Sequence, residues 1–264
     1  MSSLALALVA FLLPEPSLQA APARQSPPAP ALVPRLREGD RISNVFSISQ
    51  SVAAQGFDEV VRRNGGSGDY VVTRAARGEH SFAARFSYDG TPPSMGTVTI
   101  SAAGATTCWN GSCQPTTDAS GPLFNPNVWG QAPRNLYTGQ TWRTKISMPW
   151  ELAGSGEQTV TVTATDHASR CVTLMRTGTS NESALSEPAT VRLKRDGVAT
   201  EFKIAVGTST WKGLATICKG QVRNDELLVE RTDTLSAPGI ADVVARRRTI
   251  MLLNAAPPPP PAVD

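Results

Sequence analysis

The chain has 264 residues, of which 18% are charged, and its formal net charge at pH 7 is +3. That length is enough for one large domain or two small ones. The net charge is too small, and the arginines too scattered along the chain, to indicate a nucleic-acid partner. Ser and Thr are abundant and apolar residues seldom follow helical spacing, so the composition favours an all-β protein.

The N-terminal residues predict a secretion signal. Residues 4–13 form an apolar run without charge, and small residues follow near Ala20. About ten apolar residues match the hydrophobic part of a signal peptide and fall well short of the roughly 20 that span a bilayer. We therefore expect residues 1–20 to be a signal peptide, although Met1-Ser2-Ser3 lacks the usual Lys or Arg. The predicted location is extracytoplasmic, either periplasmic or secreted, and no transmembrane segment is expected.

Residues 39–254 are predicted to form one antiparallel β domain between two segments without a packed core. Residues 21–38 are rich in Pro and Ala, which is typical of a disordered or polyproline-like spacer. Residues 255–264 form a Pro-rich tail that is expected to be disordered. Residues 114–135 contain Gly, Asn and Pro with little alternation, so they are predicted to be a long irregular connection and a possible boundary inside the domain.

The first predicted strands lie on either side of a glycine-rich run. Residues 42–49, 56–63 and 80–88 have strand patterns, and residues 64–68 read Asn-Gly-Gly-Ser-Gly. This run is predicted to be a hairpin loop, because small residues supply turn conformations and no packing surface. It lacks the Lys followed by Ser or Thr of a P-loop, so it does not indicate phosphate binding.

The four cysteines predict two disulfides. Cys108 and Cys113 flank Asn110-Gly111, the preferred pair for a type I′ hairpin turn, which places the two cysteines opposite each other. A structural zinc site usually has two closely spaced pairs of cysteines, whereas Cys171 and Cys218 stand alone within strand patterns. Since a secretion signal precedes them, disulfides are favoured over zinc. Of the three possible pairings, Cys108–Cys113 with Cys171–Cys218 fits best.

Residues 142–150 have the clearest strand pattern in the sequence. Trp142, Ile146, Met148 and Trp150 fall on one face at a period of two, and residues 159–165 repeat the alternation. Such alternation is typical of half-buried antiparallel strands, and an aromatic face of this kind is usually packed core. The alternative is that Trp142, Met148 and Trp150 line a cavity for an apolar ligand. These three are the candidate ligand-binding residues.

Neither of the two histidines indicates a catalytic site. His167 follows Asp166 in a predicted turn, and an Asp adjacent in sequence cannot easily orient the same imidazole. No Gly-x-Ser-x-Gly elbow is present, and the carboxylates lie mostly near predicted turns rather than as a facing pair. We therefore predict no catalytic residue, no metal ligand and no cofactor. An enzyme is less favoured than a binding domain.

Three consecutive arginines, Arg246 to Arg248, form the densest basic run in the sequence. In a strand, Arg247 would point to the opposite face from its neighbours, which disperses the charge. The run is predicted to lie on a solvated edge strand or on the last strand, where charges also discourage aggregation.

The fold is predicted to be all-β, a large antiparallel meander of roughly ten to thirteen strands forming a curved sheet or open barrel. A two-sheet β-sandwich is the alternative. The first functional hypothesis is a secreted or periplasmic non-enzymatic β domain that binds an apolar ligand or a cell-envelope component. The alternatives are a secreted hydrolase, using an unrecognised carboxylate pair or His167, and a surface interaction module. A ligand-sized cavity would favour the first hypothesis, clustered carboxylates the second, and a large exposed apolar patch the third.

Overall fold

The computed structural model of the protein describes residues 32–76, 78–101, 104–116, 121–146, 155–180 and 190–257. Within these residues, 14 strands form one antiparallel sheet and a single short helix is present. The all-β prediction is confirmed, and the single sheet excludes the two-sheet alternative. No helix in the described ranges is long and apolar enough to cross a membrane. The elements are β1 (Arg41–Ala54), β2 (Val60–Ala76), β3 (Glu79–Tyr88), β4 (Ser94–Ser101), β5 (Gly104–Trp109), β6 (Ser112–Pro115), α1 (Pro126–Trp129), β7 (Thr141–Ile146), β8 (Gly156–Asp166), β9 (Cys171–Ser180), β10 (Thr190–Arg195), β11 (Val198–Ala205), β12 (Ser209–Cys218), β13 (Gln221–Ala237) and β14 (Ile240–Ala256).

The strand order is mostly that of a meander. Hydrogen bonds join the strands in the order β6-β5-β4-β3-β2-β1-β14-β13-β12-β9-β8-β7, and the β10–β11 hairpin attaches to β13 through β11. The first and last strands pair with each other in the middle of the sheet, where Ser43 lies opposite Ala256 and Ala54 opposite Ala245. The N-terminal and C-terminal halves of the chain therefore form the two sides of one continuous sheet.

The sheet is strongly curved, as the contacts of α1 require. The helix packs against both β5 and β7, which are ten strand spacings apart along the sheet. In a flat sheet they would be separated by about 48 Å, whereas a four-residue helix is only about 6 Å long. The sheet must therefore curl around α1. Its inner face is concave, and the prediction of a curved sheet is confirmed.

Tight turns of the predicted kind join several neighbouring strands. Asn110-Gly111 has φ values of 49° and 82°, and Asp196-Gly197 has φ values of 52° and 80°. Positive φ at both central residues is the requirement of a type I′ turn, whose twist matches the twist of the flanking strands. Lys219-Gly220 turns the chain between β12 and β13 in the same way, with φ values of 53° and 77°.

The glycine-rich run at residues 64–68 is not a loop, contrary to the prediction. It lies inside β2, where it pairs with β1 on one side, and with β3 from Gly66 onward. A Cβ atom on Gly66 would lie 2.6 Å from the Phe46 ring, and one on Gly68 would lie 2.7 Å from the Tyr70 hydroxyl. The glycines are needed because aromatic rings lie directly over the strand. Sequence spacing alone does not reveal such close approach.

The strand that carries Arg246 to Arg248 is not an edge strand. β14 is the last strand in the chain but lies between β1 and β13, paired on both sides. Of the two predicted alternatives, the last strand is confirmed and the edge strand is wrong, because the position of a strand in a sheet depends on pairing between distant residues. The expected alternation is present: Arg246 and Arg248 are exposed on the outer face, and Arg247 is half-buried on the inner face.

The buried side chains lie mainly on the concave face in two large clusters. One packs Phe124 and Trp129 from the β6–β7 connection onto β8, β9 and β12, where Val160 and Leu174 are fully buried. The other covers β1 to β5 and includes Leu123. Leu32, within the stretch predicted to be spacer, is also buried in the first cluster. The connection therefore contributes to the core over both the N-terminal and the C-terminal half of the sheet.

Both predicted disulfides are present, and no described cysteine is free. Cys108 and Cys113 lie opposite each other on β5 and β6. Cys171 and Cys218 lie opposite each other on β9 and β12, and the Cα atoms are 4.0 Å apart in each bridge. The first disulfide closes a hairpin, whereas the second joins strands that are distant in sequence.

Candidate ligand-binding site

The connection between β6 and β7 crosses the concave face, and we call its residues 121–140 the plug segment. Its helix α1 begins after Asn125, whose side-chain oxygen accepts a hydrogen bond of 3.0 Å from the Asn127 N–H. Pro126 takes the first helical position, where no N–H is needed. The helix ends at Gly130, with φ 72°, which lies so close to Thr144 that a Cβ would be 2.5 Å from that side chain. Four helical residues are not stable alone, so contacts with the sheet must hold them.

Side chains from the sheet supply those contacts at the end of α1. The indole Nε1 of Trp142 donates to the Trp129 carbonyl at 2.7 Å, and Nε2 of Gln158 donates to the Val128 carbonyl at 3.0 Å. Gln158 is 2% exposed, and its Oε1 accepts from Trp211 Nε1 at 3.0 Å. The last carbonyls of a helix have no partner within the helix, so the sheet satisfies two of them.

A buried ion pair lies directly beneath the plug segment. Arg176 and Asp225 are each 1% exposed, and the Arg176 Nη2 lies 2.8 and 2.9 Å from the two carboxylate oxygens. The guanidinium of Arg176 also lies 4.4 Å from the centroid of the Trp129 ring. Gly213 opposes Arg176 and leaves room for it, because a Cβ there would be 2.9 Å from its Nε. The ion pair therefore helps to position the plug by a cation–π contact.

A cavity of about 270 Å³ lies between the plug segment and the inner faces of β2 to β6. The sheet contributes aromatic and aliphatic side chains, and the plug contributes Leu123, Val128 and the face of Trp129. The volume is close to the lower end of the roughly 300–1,000 Å³ range of small-molecule sites. The principal lining residues from the sheet are Tyr70, Phe86, Tyr88, Val98, Ile100 and Trp109.

Polar groups concentrate at the end of the cavity where β6 runs into the plug segment. The hydroxyls of Thr107 and Thr116 are hydrogen-bonded at 2.6 Å, and Asn125 Nδ2 donates to the Thr116 carbonyl at 3.1 Å. Gln114 lies at the same end. The cavity is therefore aromatic and aliphatic along the sheet and polar at one end.

The hairpin disulfide positions an aromatic wall of the cavity. Trp109 follows Cys108, and its ring centroid lies 5.0 Å from that of Phe86. A Cβ on Gly96 would be 2.8 Å from the Trp109 ring, so the indole lies directly against the glycine backbone. The Cys108–Cys113 bridge closes the short β5–β6 hairpin that carries this indole.

No protein-family model matches the chain, and a comparison with curated proteins gave no match. Among solved structures, the chain resembles lipovitellin, in a structure described for its lipid–protein interactions, with 10% sequence identity and a TM-score of 0.40. The similarity covers 87% of this chain and 27% of the lipovitellin chain, so the present chain spans about a quarter of that protein's length.

The candidate ligand-binding residues from the sequence do not line this cavity where they can be placed. Trp142 is half-buried and packs against the core cluster under the plug segment, where it anchors α1. Met148 and Trp150 lie outside the described residues. A ligand-binding role for these three stays a prediction. The cavity is instead lined by Phe86 and Tyr88, at the end of β3, and by Trp109, which follows the disulfide-bonded Cys108.

The histidines lie apart from the cavity. His80 is 7% exposed and stacks on Phe82, with ring centroids 6.4 Å apart, and burial lowers its pKa from the usual value. His167 is exposed in the turn after β8. There the Ser169 hydroxyl and backbone N–H donate to Asp166 and are the main reason why the pKa of that carboxyl is lowered. In the part of the chain that the structure describes, no three His, Cys, Asp or Glu side chains converge as metal ligands.

Proposed function

We propose that this protein is a non-enzymatic extracytoplasmic domain that binds an apolar molecule on the concave face of its sheet. The observation that carries the proposal is the cavity of about 270 Å³ between the plug segment and β2 to β6. A concave site with aromatic walls and a few polar groups at one end is the usual form of a small-molecule site. The aromatic rings supply large apolar surface to a ligand.

Two further features support the extracytoplasmic part of the proposal. Disulfides persist in oxidising compartments and are rare where thiols are kept reduced, and all four cysteines form disulfides. The apolar run at residues 4–13 fits a secretion signal. A protein with both features would meet its ligand in the cell envelope or outside the cell.

Filling the cavity tests the proposal. Ala105 and Gly121 both line the cavity. Ala105 is 3% exposed, and a Cβ added to Gly121 would have no other atom within 4 Å. We expect Ala105→Phe and Gly121→Leu each to reduce binding of the neutral probe N-phenyl-1-naphthylamine about tenfold or more, because the new side chain occupies the space that the probe needs. Fluorescence titration measures the affinity.

Ala199→Phe is the matched control, because Ala199 is exposed on β11, away from the cavity. This variant should bind the probe as the parent protein does. Thermal unfolding followed by circular dichroism establishes that each variant is folded. Unchanged probe affinity in folded Ala105→Phe and Gly121→Leu would refute the cavity as the binding site.

A further inference from the structure

The concave face becomes polar and positively charged beyond the cavity. Tyr88 forms part of the cavity wall and lies opposite Gly66 of β2. Asn64 and Arg62 follow on the same face of β2, two and four residues from Gly66, and both are exposed. At about 3.3 Å per residue, Arg62 lies about 13 Å from this wall. The ring of Phe46 lies over Gly66 and 5.5 Å from the ring of Tyr88, centroid to centroid, so an aromatic surface lies between the cavity and Arg62.

Two further arginines lie beside Arg62 on the concave face. Arg231 of β13 and Arg247 of β14 are directly opposed partners in the sheet. Gln50 of β1 lies opposite Arg62 on one side and opposite Thr249 on the other, so a single strand separates Arg62 from β14. Arg62 and Arg247 are close enough for their charges to repel. We call Arg62, Arg231 and Arg247 the arginine cluster.

One buried carboxylate lies beside both Arg231 and Arg247. Asp233 is 2% exposed and lies 2.6 Å from Nε of Arg231 and 3.6 Å from Nε of Arg247. Two guanidinium groups therefore share one buried carboxylate, and Arg62 adds a third positive charge nearby, which leaves a local excess of positive charge. Nε of Arg247 is buried and has no hydrogen-bond acceptor within the described residues.

The surroundings of Arg247 disfavour its charge. Burial is the main reason why the pKa of Arg247 is lowered, repulsion from Arg231 and Arg62 adds to the effect, and Asp233 opposes it. A buried charge without full compensation is costly. An anion bound at the cluster would supply the missing counter-charge, and the planar guanidinium suits carboxylate and phosphate groups because it can donate two parallel hydrogen bonds.

We propose that the arginine cluster binds the acidic headgroup, a carboxylate or a phosphate, of an amphiphile whose apolar chain enters the cavity beneath the plug segment. This inference rests on the proposed function, because the chain needs that cavity. Arg62 and Asn64 are exposed, and the Phe46 ring over Gly66 offers an apolar surface for the chain between headgroup and cavity.

Displacement of N-phenyl-1-naphthylamine by dodecanoate and by dodecanol tests the headgroup site. The two compounds have the same chain and differ in charge. We expect dodecanoate to bind about tenfold more tightly, because a charge-assisted hydrogen bond to arginine is stronger than a neutral one. Arg62→Gln and Arg247→Gln should each remove most of this preference and leave dodecanol binding unchanged.

The neighbouring arginines provide matched controls. Arg63→Gln and Arg248→Gln make the same change of charge on the same strands but on the outer face, where both residues are exposed. They should keep the preference for dodecanoate. Arg62 is itself exposed, so Arg62→Gln remains informative even if Arg247→Gln unfolds.

The possible results separate the two proposals. Equal affinity for dodecanoate and dodecanol, or a preference that survives in both Arg62→Gln and Arg247→Gln, overturns the headgroup site and leaves the cavity intact. If Arg63→Gln and Arg248→Gln lose the preference for dodecanoate to the same extent, the headgroup site is also overturned, because the effect would then come from net charge. Inorganic phosphate that binds as tightly as dodecanoate would show a small-anion site without a chain. If neither compound displaces the probe and the probe itself does not bind, the proposed function fails as well.

Discussion

At the scale of single residues, Gln158 connects more parts of the molecule than its side-chain type suggests. Its amide donates to the Val128 carbonyl at the end of α1 and accepts from the Trp211 indole, at 3.0 Å in each case. Both partners are buried. In the sequence, Gln158 stands at a position that alternation assigns to the inner face, but a lone glutamine there does not reveal which distant groups it will satisfy.

Gln158→Leu is therefore expected to destabilise the protein by about 3 kcal/mol, because it leaves a buried carbonyl and a buried indole N–H without partners at roughly 1–3 kcal/mol each. Urea unfolding measures the change. Glu157→Leu on the exposed face of the same strand is the control and should change stability by less than about 0.5 kcal/mol. Similar losses in the two variants would contradict a specific role for the glutamine.

At the scale of elements, the β5–β6 hairpin matters for the cavity more than for overall stability. Its disulfide closes a loop of few residues, and in the chain-entropy model short loops give little stabilisation. The same bridge closes the hairpin that carries Trp109 against Phe86. The hairpin was predictable from Asn110-Gly111 and the flanking cysteines. Its place at the cavity was not, because that depends on the curvature of the whole sheet.

The double variant Cys108→Ser/Cys113→Ser is expected to lower the affinity for N-phenyl-1-naphthylamine several-fold while reducing the free energy of unfolding by at most about 2 kcal/mol. The physical reason is that an open hairpin no longer holds the indole in place before the ligand arrives. Fluorescence titration and urea unfolding of the same sample give both quantities. Unchanged probe affinity together with a large loss of stability would show that the disulfide stabilises the fold rather than the cavity.

At the scale of the whole molecule, the disulfide between β9 and β12 has the opposite role. Cys171 and Cys218 are 47 residues apart in sequence, and they join two strands next to the core cluster under the plug segment. Cys171→Ser/Cys218→Ser is expected to cost on the order of 4 kcal/mol of stability by the chain-entropy model. Urea unfolding measures this cost. If the variant is folded, its affinity for the probe should be nearly that of the parent, and a stability loss no larger than that of the hairpin variant would contradict the prediction.

The sequence was informative where structure depends on near neighbours. Alternation in residues 142–150 and 159–165 predicted the strands whose described parts are β7 and β8, and Asn110-Gly111 predicted a hairpin turn. Prediction from the sequence failed where contacts between distant residues determine the structure. The glycines of residues 64–68 look like a loop because the rings of Phe46 and Tyr70 that lie over them are not visible in a local window. Strand pairing between distant parts of the chain likewise determines the position of β14. It also brings together Arg62, Arg231 and Arg247.

The pairing of β1 with β14 has a consequence for how the protein folds. Residues paired here are about 200 positions apart in the chain, and β14 joins the two halves of the sheet. Until β14 has been synthesised, the N-terminal and C-terminal halves of the sheet cannot be joined, and each has an unpaired edge at the future centre. Contacts between such distant residues make folding slow, because a long loop must close before they form. The middle of the sheet is thus the last part that can be completed, and during this interval its open edges are the most exposed to aggregation.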